Sequence, residues 1–268
     1  MKRRLIIGVS SISVIVFVFS MVLLLGKISD YNEGNEIYRS AKELSGIGDF
    51  LTGPESGAED IAYYLPGFSE EGFSPINIDS LKKINSDVVG WIVVPGTGIS
   101  YPLMDSNDNS YYLDHTWDNT VNSVGAIFLE EKNSSGLEDF NTIIFGHNMM
   151  NGSMFGCLKN YKNQEFIEEA PHVYIFTEDK VRRYDIFASF EAGVKSFVFR
   201  PGIQSETKKR EYIEKSVSMS EISSDTDPYG SEHFLTLSTC TGNGYKKRRV
   251  VQAVLTETAV INNSSNSN

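Results

Sequence analysis

The sequence predicts a mainly β protein: an eight-stranded barrel with helical insertions, N-terminal helices and a helix before the last strand pair. Three observations carry that expectation. Eight short runs rich in Val, Ile, Phe and Tyr are spaced between residues 90 and 257 and broken by Gly, Pro, Asn and Asp. Helix-like patches interrupt those runs, and roughly eight strands with such insertions suggest a closed barrel of mixed connectivity. An uncharged stretch, LIIGVSSISVIVFVFSMVLLLG, stands apart at residues 5–26.

Taken in chain order, the first element is that stretch. At 1.5 Å per residue it spans roughly 33 Å as a helix, enough for a hydrocarbon core of about 30 Å. Lys2, Arg3 and Arg4 precede it, and Asp30, Glu33 and Glu36 follow. Positive-inside logic puts residues 1–4 in the cytoplasm and everything after the span outside, as a single-pass protein of the cell membrane. A cleaved secretory signal is the other reading, but the span ends in LLLGKISDY with no A-x-A-like site. Either way the bulk of the chain is exported.

Residues 27–45 then read as a helical stalk with Ile28, Tyr31, Ile37, Tyr38 and Leu44 as apolar members. Residues 46–75 are rich in Gly, Pro, Ser and Glu and read as a linker, making 27–75 an extracellular stalk and linker. A short helix starts near Asn77 or Asp79, either of which suits an N-cap, and opens a domain over 76–258. The expected strands are 90–94, 99–104, 125–129, 142–146, 172–177, 182–191, 234–240 and 249–257. Helical patches fall at 153–161, 164–169 and 206–217. The last is charged, with an apolar stripe at Tyr212, Ile213 and Val217, and reads as a surface helix. The tail 259–268 is polar and reads as disordered.

With 24 basic against 35 acidic side chains the formal charge is −11. Nucleic acid is therefore excluded as the main partner, since phosphate binding needs clustered Lys and Arg. No His-x-x-x-His or Cys-x-x-Cys pair suggests zinc, and no G-x-S-x-G elbow suggests a serine hydrolase. Attention falls instead on FLTLSTCTGNGYKKRRVV, residues 234–251.

Alternation puts Thr236, Ser238 and Cys240 on one face of that strand and Leu235, Leu237 and Thr239 on the other. Cys240 thus ends a small, polar face beside a Gly-containing loop. Reactive cysteines prefer such partly exposed, electropositive places, whereas packing cysteines prefer apolar burial. With Cys157 as the second cysteine of an exported chain, a Cys157–Cys240 disulfide is a third reading. If the strand and the run after the loop form a hairpin, Cys240 and Arg248 face each other across its open mouth. A guanidinium there stabilises negative charge on sulfur or on a developing oxyanion; the plain alternative is a solvated basic turn. A thiol nucleophile also wants a base. Of the four histidines, His147 ends an apolar strand in IIFGHNM, while His115, His172 and His233 lie near turns or a strand start.

These residues resemble a known family. TLSTC (236–240) followed by an arginine opening RRVVQAVL, together with IIFGHNM (143–149) and GSMF (152–155), resembles the signature segments of sortases. Those are membrane-anchored cysteine transpeptidases of Gram-positive bacteria. The N-terminal helical extension and the helix before the cysteine strand are similar to class B. The resemblance covers about residues 80–258 and implies Cys240, His147 and Arg248 as catalytic. It further implies Asn109, Leu113 and Ser238 as residues of the groove that binds the sorting signal. The doubled arginine departs from the pattern R-x-V-V-x-A: Arg248 satisfies it with Ala253 in the small place, but a one-residue slip would substitute Arg249.

The resemblance implies that Cys240 attacks the Thr carbonyl of a C-terminal sorting motif, NPxTN-like or related, in an exported protein. A thioester forms, and an amine of a cell-wall precursor or a pilin lysine resolves it, with no metal or organic cofactor. Two further readings stay open: an exported cysteine peptidase that transfers only to water, and a non-catalytic surface module closed by the Cys157–Cys240 disulfide.

Overall fold

The computed structural model of the chain describes residues 2–47, 76–240 and 246–260. Eight strands close into a barrel: β1 Val88–Val93, β2 Ser100–Met104, β3 Ile127–Leu129, β4 Asn141–Phe145, β5 His172–Phe176, β6 Lys180–Gly193, β7 Phe234–Cys240 and β8 Lys247–Val260. Their spatial order is β1-β2-β3-β4-β7-β8-β6-β5, with β1 pairing β5 to close the ring. Two neighbouring pairs are parallel, β2 with β3 and β4 with β7; the others are antiparallel. Closure leaves no open sheet edge, which disposes of the unpaired backbone groups an edge strand would present.

All eight expected strands are present. The largest shift is at β8, which runs on to Val260 because Ala259 and Val260 pair with Val181 and Lys180 of β6. The expected tail lies outside the described residues from position 261 onward, as does the expected linker from position 48.

Alternation sorts the strand residues between two cores. Leu235, Leu237, Val251 and Ala253 point inward with Trp91, Leu103, Ile127 and Ile144. On the outer face Phe234, Val250 and Val254 meet Phe140, Phe187 and Phe190 under a helix. That helix is α4, Glu206–Met219, which lays Tyr212 and Ile213 on this second core, as its sequence stripe requires. Its stripe member Val217 instead stays exposed.

The remaining helices are α1 Lys2–Ser45, α2 Ile78–Lys82 and α3 Gln164–Glu169. Asn77 caps α2, accepting a hydrogen bond from the Ser80 backbone at 3.0 Å. By length and composition α1 is apolar enough to cross a membrane, and it continues without a break through residues 27–45. The helical patch expected over 153–161 forms as a 3₁₀ helix over Gly156–Lys162. Met154 sits in the left-handed region at φ 52°, which keeps the helix from starting earlier.

One buried amide locks the outer core to the barrel. Asn141, at the start of β4, donates to the carbonyls of Val198 (2.8 Å) and Arg200 (3.2 Å) and accepts from the Thr236 hydroxyl (2.7 Å). Asn141→Ala leaves all three without this partner in a dry site. It is expected to lower unfolding free energy by about 2 kcal/mol in urea titration; a change within about 0.5 kcal/mol would contradict this role.

Candidate active site

Because β4 and β7 run parallel, their C-terminal ends emerge at the same rim of the barrel. Phe145 pairs with Ser238, so continuing the register by two residues aligns His147 with Cys240. Two bonds carry the alignment past the strand end: Gly146 N–H donates to the Ser238 carbonyl at 3.2 Å, and the Asn148 side-chain amide donates to the Cys240 carbonyl at 2.7 Å. β8 starts at this rim and runs antiparallel to β7, with Arg248 paired directly opposite Cys240. Cross-strand partners share a face, so Arg248 is the arginine on the side of Cys240.

Arg249 is one residue further on, opposite Thr239, and faces the other way. Its side chain is buried, 2.8 Å from the Glu221 carboxylate and 3.7 Å from Glu191. The two arginines therefore differ in kind. One is tied down by two carboxylates at the barrel mouth, and the other stands across from the thiol.

His147 is half-buried, and its ring is fixed by its back edge. Nε2 lies 2.6 Å from the Leu113 carbonyl. A carbonyl only accepts, so the ring hydrogen is on Nε2 and the lone pair of the neutral imidazole is on Nδ1. Gly125 makes this approach possible. Its φ is 58°, and a Cβ there would come within 2.9 Å of His147 Cδ2 and of the Leu113 carbonyl. Only glycine combines that backbone with that clearance. The other histidines serve local structure: His115 bonds Asp114 at 2.7 Å, His172 bonds Asp185 at 2.8 Å, and His233 bonds the Asp139 carbonyl at 3.2 Å.

The three expected groove residues are placed differently from one another. Leu113 is exposed beside His147. Asn109 is half-buried, and its side chain joins Glu130 (3.3 Å) and the Glu131 backbone (3.0 Å). Ser238 is buried on the face of Cys240, and its hydroxyl has no hydrogen-bond partner among the described residues.

Cys157 and Cys240 are both free, so the disulfide reading does not hold. Burial pushes the Cys157 thiol up to about 11. Asn148, Gly125, Glu191 and Glu221 are site residues that sequence reading missed. For Gly125, a lone glycine before an apolar triplet was a faint signal; the others depend on partners 28 to 92 positions away.

Comparison with known proteins bears on this rim directly. A Sortase domain family model matches residues 92–256. Sortase B of Listeria monocytogenes is 36% identical over 174 residues, spanning 64% of this chain and 70% of the relative. Sortase B of Staphylococcus aureus is 30% identical over 164 residues, 60% of this chain and 66% of the relative. The crystal structure of sortase B from B. anthracis in complex with AAEK1 superposes at TM-score 0.69 with 27% identity, covering 86% of this chain and 99% of that one.

Native thiol titration is expected to find one fast-reacting thiol per chain and a second that reacts far more slowly until the chain unfolds, since Cys157 is half-buried and its thiol pKa is raised. Cys240→Ala should remove the fast one; zero thiols in the unfolded, unreduced protein would contradict the free pair. Arg249→Ala strands Glu221 and leaves Glu191 with Lys247 alone, and is expected to lower unfolding free energy by about 2 kcal/mol, discounted for the partial exposure of both carboxylates. Arg248→Ala should stay within about 0.5 kcal/mol of the parent. Equal losses from the two would contradict their separate roles.

Proposed function

This chain belongs to the sortase family of cysteine transpeptidases, in its class B, and we propose that Cys240, His147 and Arg248 carry its acyl transfer. The single observation that supports this reading most is the cross-strand pair Cys240–Arg248 beside the aligned His147.

Cys240 Sγ gives its proton to the free Nδ1 of His147 and, as thiolate, attacks the carbonyl carbon of the Thr in a C-terminal sorting motif, NPxTN-like or related. The carbonyl oxygen becomes an oxyanion, and the Arg248 guanidinium donates hydrogen bonds to it. As the tetrahedral species collapses, the C–N bond breaks and His147 gives its Nδ1 proton to the departing amine. The thioester so formed is then attacked by an acceptor amine, whose proton returns to Nδ1, and the thiolate leaves. Throughout, Nε2 keeps its hydrogen on the Leu113 carbonyl, so one nitrogen orients the ring and the other moves the proton. Leu113, Asn109 and Ser238 line the groove for the motif. For Ser238 this reading is supported by its place on the face of Cys240, two residues before it on the same strand.

The apolar helix supports membrane anchoring, with residues 1–4 cytoplasmic and the barrel outside. Both the exported protein and an amine of a cell-wall precursor or pilin then lie on the same side of the membrane as Cys240.

Full-length protein in detergent, mixed with an NPxTN-like peptide and triglycine, should give the peptide–triglycine amide by mass spectrometry. Cys240→Ala should abolish it, and His147→Ala or Arg248→Ala should slow it by at least about 100-fold. Hydrolysed peptide with no amide would sink the transferase reading in favour of a peptidase.

A further inference from the structure

The wall behind His147 is built partly by α1. Four stalk contacts converge on residues 117–125. Tyr38 Oη donates to the Gly125 carbonyl at 2.6 Å, and Trp117 Nε1 donates to the Ile37 carbonyl at 3.2 Å. Asn122 donates to the Asp30 carbonyl at 3.1 Å, and the Ser123 hydroxyl donates to the Asp30 carboxylate at 2.6 Å. Gly34 adds a close approach: a Cβ there would lie 2.8 and 2.9 Å from the two Val124 methyls. Residues 117–126 are in turn bonded to 112–114, through Asn122 N–H to the Asp114 carbonyl and Ala126 N–H to the Tyr112 carbonyl, both 2.9 Å. This is the segment whose Leu113 carbonyl holds His147 and whose Gly125 lies against its ring.

Tyr38 also reaches the opposite flank. Its ring meets Tyr101 edge-on, centroids 5.1 Å apart. The Tyr101 hydroxyl accepts from Met154 N–H at 3.0 Å, and Phe155 N–H donates to the His147 carbonyl at 2.9 Å. One stalk residue thus links both segments that bracket the histidine. A tether alone needs no such convergence, since any apolar patch of the barrel would seat a helix.

We propose that α1 is a positioning element of the active site, in which Tyr38 holds the Gly125 carbonyl and so sets the His147 ring on Leu113. This rests on His147 being the proton carrier argued above. Tyr38 is a positioning residue: it acts on the reaction only through His147.

The test uses the full chain in detergent. Tyr38→Phe removes the hydroxyl and keeps the ring against Tyr101. Its kcat for transfer to triglycine is expected to fall about three- to tenfold, with KM for the peptide within about twofold. Imidazole ¹⁵N resonances are read in parallel at a pH where the ring is neutral, with His147 identified by the signal lost in His147→Gln. In the wild type they should mark an Nε2–H ring; in Tyr38→Phe they should move toward each other as the Leu113 contact loosens. Gly34→Ala, which wedges α1 off Val124 without touching Tyr38, should move them in the same direction. Unchanged resonances in both variants would overturn the proposal, whether or not kcat or stability falls. A wild type that makes no amide product would overturn the transferase reading instead, and the resonances would still report on α1.

Discussion

Parallel hydrogen bonding between β4 and β7 is the constraint on which the rest of the site depends. The two strands are separated by 88 residues of chain that build β5, β6 and α4, yet they lie side by side with Phe145 opposite Ser238. Only a parallel pair brings two C-terminal strand ends to one rim. An antiparallel pair would put His147 and Cys240 at opposite ends of the barrel. The inward apolar residues Ile144 and Leu237 enforce the register, because a one-residue slip would turn both out of the core. Burial of aliphatic side chains in the barrel thus fixes the placement of polar groups beyond its strand ends.

The same alternation separates two adjacent arginines into different tasks. β8 offers Arg248 to the face of Cys240 and Arg249 to the barrel mouth, where Glu191 and Glu221 neutralise it. A charge as buried as Arg249 is tolerated only with such partners. Glu191 comes from the neighbouring strand, directly opposite Arg249, and Glu221 from just beyond α4. The helix inserted before β7 therefore covers the outer core and also delivers the segment whose Glu221 pairs with Arg249.

Much of this was legible in the sequence because it is periodic. The eight strands, the face of β7 that carries Cys240, and the apolar stripe of α4 follow from alternation and from turn residues. The pairing of Cys240 with Arg248 needed only the assumption of a hairpin. What was not legible is contact between distant segments. Nothing local announces that Asn148 will cap the carbonyl of Cys240, or that Tyr38 will reach Gly125. The helical patch expected from residue 153 starts late, at Gly156, for a related reason: the bonds that tie Met154 and Phe155 to Tyr101 and His147 hold the preceding backbone in another form. The stalk could be read as apolar and helical, but not which part of the barrel it would meet.

Whether Cys240 carries the acyl group is decided by intact-mass spectrometry of the protein quenched during turnover with a sorting-motif peptide. The expected protein mass is raised by the acyl fragment ending in Thr, mapped to Cys240 and removed by hydroxylamine. An adduct on any other residue, or turnover with no adduct under conditions where deacylation is slowed, would contradict it.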